Sequence, residues 1–143
     1  MRPACWARTG PISGAPADMA VVLDSGCLIA IDNNDRKVLA LLRVAQTGRI
    51  PVRTSAGVIA QSWRDGARQA ILARLLSGTT IAAIDASAGR RIGELLARNR
   101  TADIVDGHVA LLANRGDTVI TSDNGDIARL LATCGVQANI IEV

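Results

Sequence analysis

Short apolar runs alternate with helix-spaced apolar positions along almost the whole chain, and few folds accept that alternation. "AVVLD", "RIPVRTS", "TTIAAID", "DTVITSD" and "QANIIEV" read as strands, brief and rich in β-branched residues. Between them lie "SGCLIAIDN", "DRKVLALLRVAQTG", "AGVIAQSWRDG", "ARQAILARLLSG", "ASAGRRIGELLARNR", "IVDGHVALLANRG" and "GDIARLLATCG", with apolar residues at helical spacing. Ser55 and Asp103 stand where N-caps belong, and Gly48, Gly78 and Gly135 where helices stop. Strands separated by helices predict a parallel sheet covered on both faces: an α/β fold, three layers, one domain. There is no Phe and no Tyr, so the core has to be built from Ala, Val, Leu and Ile. The same scarcity argues against a sheet that stacks RNA bases on several aromatics.

The first 18 residues are different. They hold three of the four prolines together with Gly and Ser, and show no periodicity. Residues 1–18 are expected to form a disordered tail ahead of a domain at 19–143, with Met19 an alternative start. The segment lacks the continuous apolar centre of a signal peptide, and no apolar run is long enough to span a bilayer. Cys5, Cys27 and Cys134 are widely spaced; Cys27 and Cys134 sit among apolar residues, which predicts buried free thiols and a reducing cytoplasm. Zinc has little to bind, since His108 is the single histidine. The net charge is +3, and Lys37 is the one basic residue that is not Arg, a balance compatible with a phosphate-rich partner.

The chemistry lies in the acids. In a parallel α/β sheet, strand carboxyl ends and helix amino ends share one edge, where ligands bind. That topology brings Asp24, Asp106, Asp123 and Asp126 to the same edge, although they are far apart in sequence. Singly, Asp103, Asp106 and Asp126 are ordinary first-turn or capping acids, favourable against the helix dipole. Asp24 fits that explanation less well, because it ends an apolar strand abruptly. Unpaired acids that converge repel one another, and a hard divalent cation, Mg²⁺ or Mn²⁺, relieves this. Carboxylate-bound metal commonly serves phosphodiester chemistry. There is neither a G-x-x-x-x-G-K-[ST] loop nor a G-x-G-x-x-G, and Gly26 stands where a haloacid-dehalogenase-type phosphatase has its second acid.

Taken in order, "VVLDSGCLIAIDN", "VIAQSWRDG", "TADIVDGHVALLA" and "VITSDNGDIARLL" resemble a PIN domain, specifically the VapC-type toxin of a VapBC toxin–antitoxin pair. The resemblance runs from about Ala20 to Val143. It implies a metal-dependent endoribonuclease with an α/β/α fold, forming a homodimer, acting on RNA and inhibited by a small cognate antitoxin. Asp24, Asp106 and Asp123 match the family's first, third and fourth acids and would be catalytic metal ligands. Ser25 and Thr121 match supporting hydroxyl positions, and Asp126 a frequently acidic one. The family's second acid, usually Glu, is Gln61 here, which supplies no charge. A second reading follows: a PIN-like domain that binds RNA or its antitoxin without efficient cleavage. His108 reads as a satisfied core histidine, Trp63 as partly core, and Arg64, Arg68, Arg90 and Arg91 as solvated helix faces.

Overall fold

A computed structural model describes residues 19–143; the expected tail, with Cys5 and Trp6, lies outside them. The described chain runs β1 (Val21–Leu23), α1 (Ser25–Asp32), α2 (Arg36–Thr47), β2 (Val52–Ser55), α3 (Ala56–Ser62), α4 (Ala70–Ser77) and β3 (Thr80–Ala82). It continues with α5 (Ala86–Asn99), α6 (Ile104–Leu112), β4 (Thr118–Thr121), α7 (Asn124–Cys134) and β5 (Asn139–Glu142). All strand pairs are parallel, in the order β3-β2-β1-β4-β5. From β1 the chain moves outward to β2 and β3, then crosses back to β4 and β5. Right-handed crossovers put the helices of these two excursions on opposite faces. The result is the expected three-layer α/β/α architecture around a parallel sheet.

The elements follow from local chemistry. In α5 the buried residues Ala88, Ile92, Leu95 and Leu96 fall on one stripe, and the Asp85 side chain caps the Ala88 N–H at 2.8 Å. In α2 the stripe is Val38, Leu42 and Ala45, capped by Asp35 on the Val38 N–H at 3.1 Å. Strand β1 is only three residues long, yet Val22 and Leu23 are fully buried because it lies at the centre of the sheet. At the β3 edge the strand is short and Ile81 stays exposed. The core is aliphatic, with Leu23, Leu28, Ile31, Leu95 and Ile120 among its largest fully buried side chains. Cys27 and Cys134 are buried thiols within it, outside any disulfide, as expected; burial, then the charges of Asp24 and Asp35, push the Cys27 thiol up to about 12.

One boundary departs from the sequence pattern. The spacing predicts a helix through to Gly66, whereas α3 stops at Ser62 and α4 begins only at Ala70. The cause is Gln69. Its buried amide oxygen accepts the Arg64 and Asp65 N–H groups at 2.7 and 2.9 Å, and its nitrogen donates to the Ser62 carbonyl at 2.9 Å and to Asp32 at 3.1 Å. A side chain thus satisfies backbone groups that a continued helix would have used. Trp63 packs at the rim of the core, its ring beside Gly66.

Candidate metal centre

The strand order reverses between β1 and β4, so the crevice beyond their carboxyl ends is the topological switch point. Asp24 follows β1 there, and its backbone N–H donates to the Ile120 carbonyl at 3.0 Å, which extends the β1–β4 ladder. Its carboxylate is buried, 3% exposed, and held on both oxygens. Oδ1 accepts the Ser25 N–H at 2.7 Å and Oδ2 the Thr121 hydroxyl at 2.6 Å. The Thr121 hydroxyl in turn accepts the Asp123 N–H at 2.9 Å. Thr121 therefore ties the end of β1 to the turn entering α7. Gly26 makes the close approach possible: a Cβ there would lie 2.3 Å from the Ser122 Oγ and 2.9 Å from its backbone nitrogen.

The other acids come from helix starts. Asp103 is the N-cap of α6 and accepts the Asp106 N–H at 2.9 Å, the capping role expected of it. Asp123 caps α7, accepting the Asp126 N–H through Oδ1 at 3.1 Å. Capping occupies that one oxygen of the Asp123 carboxylate and leaves the other clear of the cap. Asp106, Asp123 and Asp126 each bring a carboxylate oxygen within 4.8 Å of the others. Asp24 is not in that group of three, but its charge reaches it. Burial chiefly, then Asp24, Asp103 and Asp123, raise the Asp106 carboxyl from 3.8 to about 7. The neighbouring acids thus add to the burial penalty at Asp106. The site's hard oxygen donors fit Mg²⁺ or Mn²⁺.

Not every candidate converges. Ser25 stands at the start of α1, where its backbone N–H, rather than its hydroxyl, holds Asp24. Gln61 is exposed on α3, a helix that packs against α1 and α6. Asp126 carries an ion pair to Arg129, one turn on in α7. His108 is buried, with Nδ1 2.5 Å from the Ser55 hydroxyl, which also caps α3 by accepting the Gly57 N–H at 3.0 Å. Burial, then Arg91, lower its pKa, with Asp85 opposing, which favours the neutral ring, and the tautomer sets which way the Nδ1–Ser55 bond runs. It is a satisfied core histidine.

Sequence reasoning passed over two features. Asp117 is fully buried at the opposite, amino edge of the sheet. It accepts the Ala20 N–H at 2.9 Å and the Asn114 N–H at 2.7 Å, and lies 3.7 Å from the Arg53 guanidinium. The signal was an acid directly before a strand. The second is a cavity of about 360 Å³ beside the carboxylates, lined by Asn99, Arg100, Thr101, Asp106, Asp126, Arg129 and Leu130. No local pattern announces it, because its walls come from three helix ends.

No helix among the described residues is long and apolar enough to cross a membrane. Neither a family model nor a curated protein matches the sequence. Among solved structures the chain is similar to one in the crystal structure of VapBC2 from Rickettsia felis bound to a DNA fragment from their promoter. The TM-score is 0.61 at 17% identity, and the match covers 87% of this chain and 100% of that chain. What this chain shares with that protein is the three-layer PIN-like α/β/α fold.

Proposed function

We propose that this protein is a divalent-metal-dependent endoribonuclease, the toxin of a toxin–antitoxin pair. The observation that carries the reading is the convergence of Asp106, Asp123 and Asp126 within 4.8 Å at the β1–β4 switch point, with Asp24 buried beside them. Asp24, Asp106 and Asp123 are the residues proposed to hold Mg²⁺ or Mn²⁺, with Asp126 and Gln61 at the margin. When bound, the cation supplies charge neutralisation at the phosphate and lowers the pKa of its water. The chain's own groups prepare the site. The Thr121 hydroxyl and Ser25 N–H fix both oxygens of Asp24, so that carboxylate meets its ligand already oriented. Without the cation Asp106 is raised to about 7, so it gives up its proton near neutrality when a cation binds there. The Asp126–Arg129 pair moderates charge at the outer rim.

The VapBC2 likeness supports an antitoxin partner for the same fold. Location in the cytoplasm and assembly as a homodimer belong to the same proposal. Gln61 favours a second reading, binding without efficient cleavage, because an exposed neutral amide on α3 adds no charge. Mapping RNA 5′ ends after induction decides between them. Wild type yields defined cuts that Asp106→Asn abolishes, and they scale with added Mg²⁺ or Mn²⁺. Cuts that persist in folded Asp106→Asn overturn the metal-nuclease reading; binding of RNA with no cuts favours the second.

A further inference from the structure

The cavity beside the carboxylates has a wall that the metal chemistry leaves unused. Asn99 is the last residue of α5, Arg100 caps it and Thr101 follows, with Leu130 of α7 also lining the cavity. The Asn99 Nδ2 is buried and finds no hydrogen-bond partner among the described residues. A buried amide donor without an acceptor is unfavourable, and native chains keep few of them. Asn99 lines the cavity, so a turn of its side chain would present that amide to an acceptor entering it. Arg100 lines the same wall, its backbone in the left-handed region at φ 55° and ψ 43°, where glycine is favoured. The corresponding position closing α7 is Gly135, at φ 69°.

An amide donor, a hydroxyl, a guanidinium and the apolar edge of Leu130 together suit a ligand with a flat, acceptor-bearing ring and an anionic group. A nucleotide has both. Asn amides read base edges, and Arg forks hold phosphates. We propose that this cavity seats the nucleotide adjacent to the scissile phosphodiester of a single-stranded RNA. Asn99 discriminates its base through an acceptor on the base edge, and Arg100 holds its phosphate. The inference rests on the ribonuclease reading and makes Asn99 a specificity determinant within it.

The test titrates single-stranded pentaribonucleotides differing only in the central base against wild type, Asn99→Leu, Arg100→Gly and Arg49→Gly. The same proteins digest a mixed RNA for cleavage mapping. Wild type is expected to prefer some central bases by about ten-fold, the discrimination a side chain–base contact supplies. Asn99→Leu, isosteric but without a donor, brings the affinities to within about two-fold of one another and flattens the mapped preference at one position. Arg100→Gly weakens all the oligonucleotides by roughly five-fold without reordering them, while its melting temperature rises because glycine relieves the left-handed backbone. Arg49→Gly, with the same relief at φ 55° ahead of β2, raises the melting temperature and leaves binding alone. Should Asn99→Leu fail to fold, Asn99→Ser carries that arm. Unchanged base preference in the folded Asn99 variant, or wild-type binding by Arg100→Gly, overturns the inference. Wild type that cleaves with no base preference at any position overturns this inference alone. Wild type that neither binds nor cleaves overturns the ribonuclease reading and this inference with it. Selective binding without cleavage that Asn99→Leu abolishes supports the nucleotide seat but overturns the ribonuclease reading and the placement beside a scissile bond.

Discussion

Asp106 faces two opposing demands. Its folded pKa of about 7 stands above the ordinary 3.8, so between those values the folded state holds a proton that the unfolded state has released. The stability this contributes is complete below 3.8 and is lost as pH rises through about 7. In metal-free protein, Asp106→Asn should therefore raise the melting temperature at pH 8 by a few degrees and change it little at pH 4, while RNA cleavage disappears. Calorimetry at the two pH values, paired with a cleavage assay, checks it. His108 acts with the other sign. Its folded pKa is lowered below 6.5, so the stability of the neutral ring is present above 6.5 and is lost as pH falls through that value toward the folded one. Gln61 supplies a further residue-scale prediction. If the α3 position serves the metal, Gln61→Glu should lower the Mn²⁺ concentration for half-maximal cleavage about ten-fold, a net gain of roughly 1–2 kcal/mol after desolvation. Coincident titration curves for the two proteins would place position 61 outside the centre.

At the scale of elements, the joint between α1 and the β4–α7 turn decides whether the carboxylates meet. Gly26→Ala puts a methyl 2.5 Å from the Ser122 Cβ, so one element has to retreat. The expected cost is about 1–3 kcal/mol of stability, with weakened metal binding because Asp24 moves with α1. Adding Ser122→Gly should recover part of both, as read by thermal unfolding and Mn²⁺ titration. These elements were largely legible in the sequence. Stripes such as Ala88, Ile92, Leu95 and Leu96 are local and depend on the helix period alone. The caps at Ser55 and Asp103 were legible for the same reason, since a cap acts within three residues. The α3–α4 break was not, because Gln69 ends a helix by reaching back five residues and across to Asp32. Nor did spacing bury the Asn99 amide, which depends on how α5, α6 and α7 meet.

Over the whole molecule, the two edges of the sheet divide the work. The carboxyl edge gathers repelling acids around the centre, while the amino edge is held by Asp117, with two backbone donors and Arg53. Asp117→Ala leaves those buried donors unsatisfied and removes the Arg53 ion pair, for an expected loss of about 3–4 kcal/mol. Mn²⁺ affinity measured on the protein that remains folded should stay within about two-fold of wild type, in contrast to Asp106→Asn. A metal-binding defect as large as that of Asp106→Asn would show that the edges are coupled.

The hydrogen bond from Thr121 to Asp24 joins residues 97 positions apart, and β1 has no partner on that side until β4 arrives. Joining such distant positions costs loop-closure entropy and slows folding. During synthesis, Asp24 emerges early and waits while the segment carrying Asp106, Thr121 and Asp123 is still being made. A ribosome that stalls before that segment releases a fragment with one carboxylate and no centre. The order of strands in the sheet is therefore also a timer, keeping the acidic site unformed until β4 and the turn after it have been made.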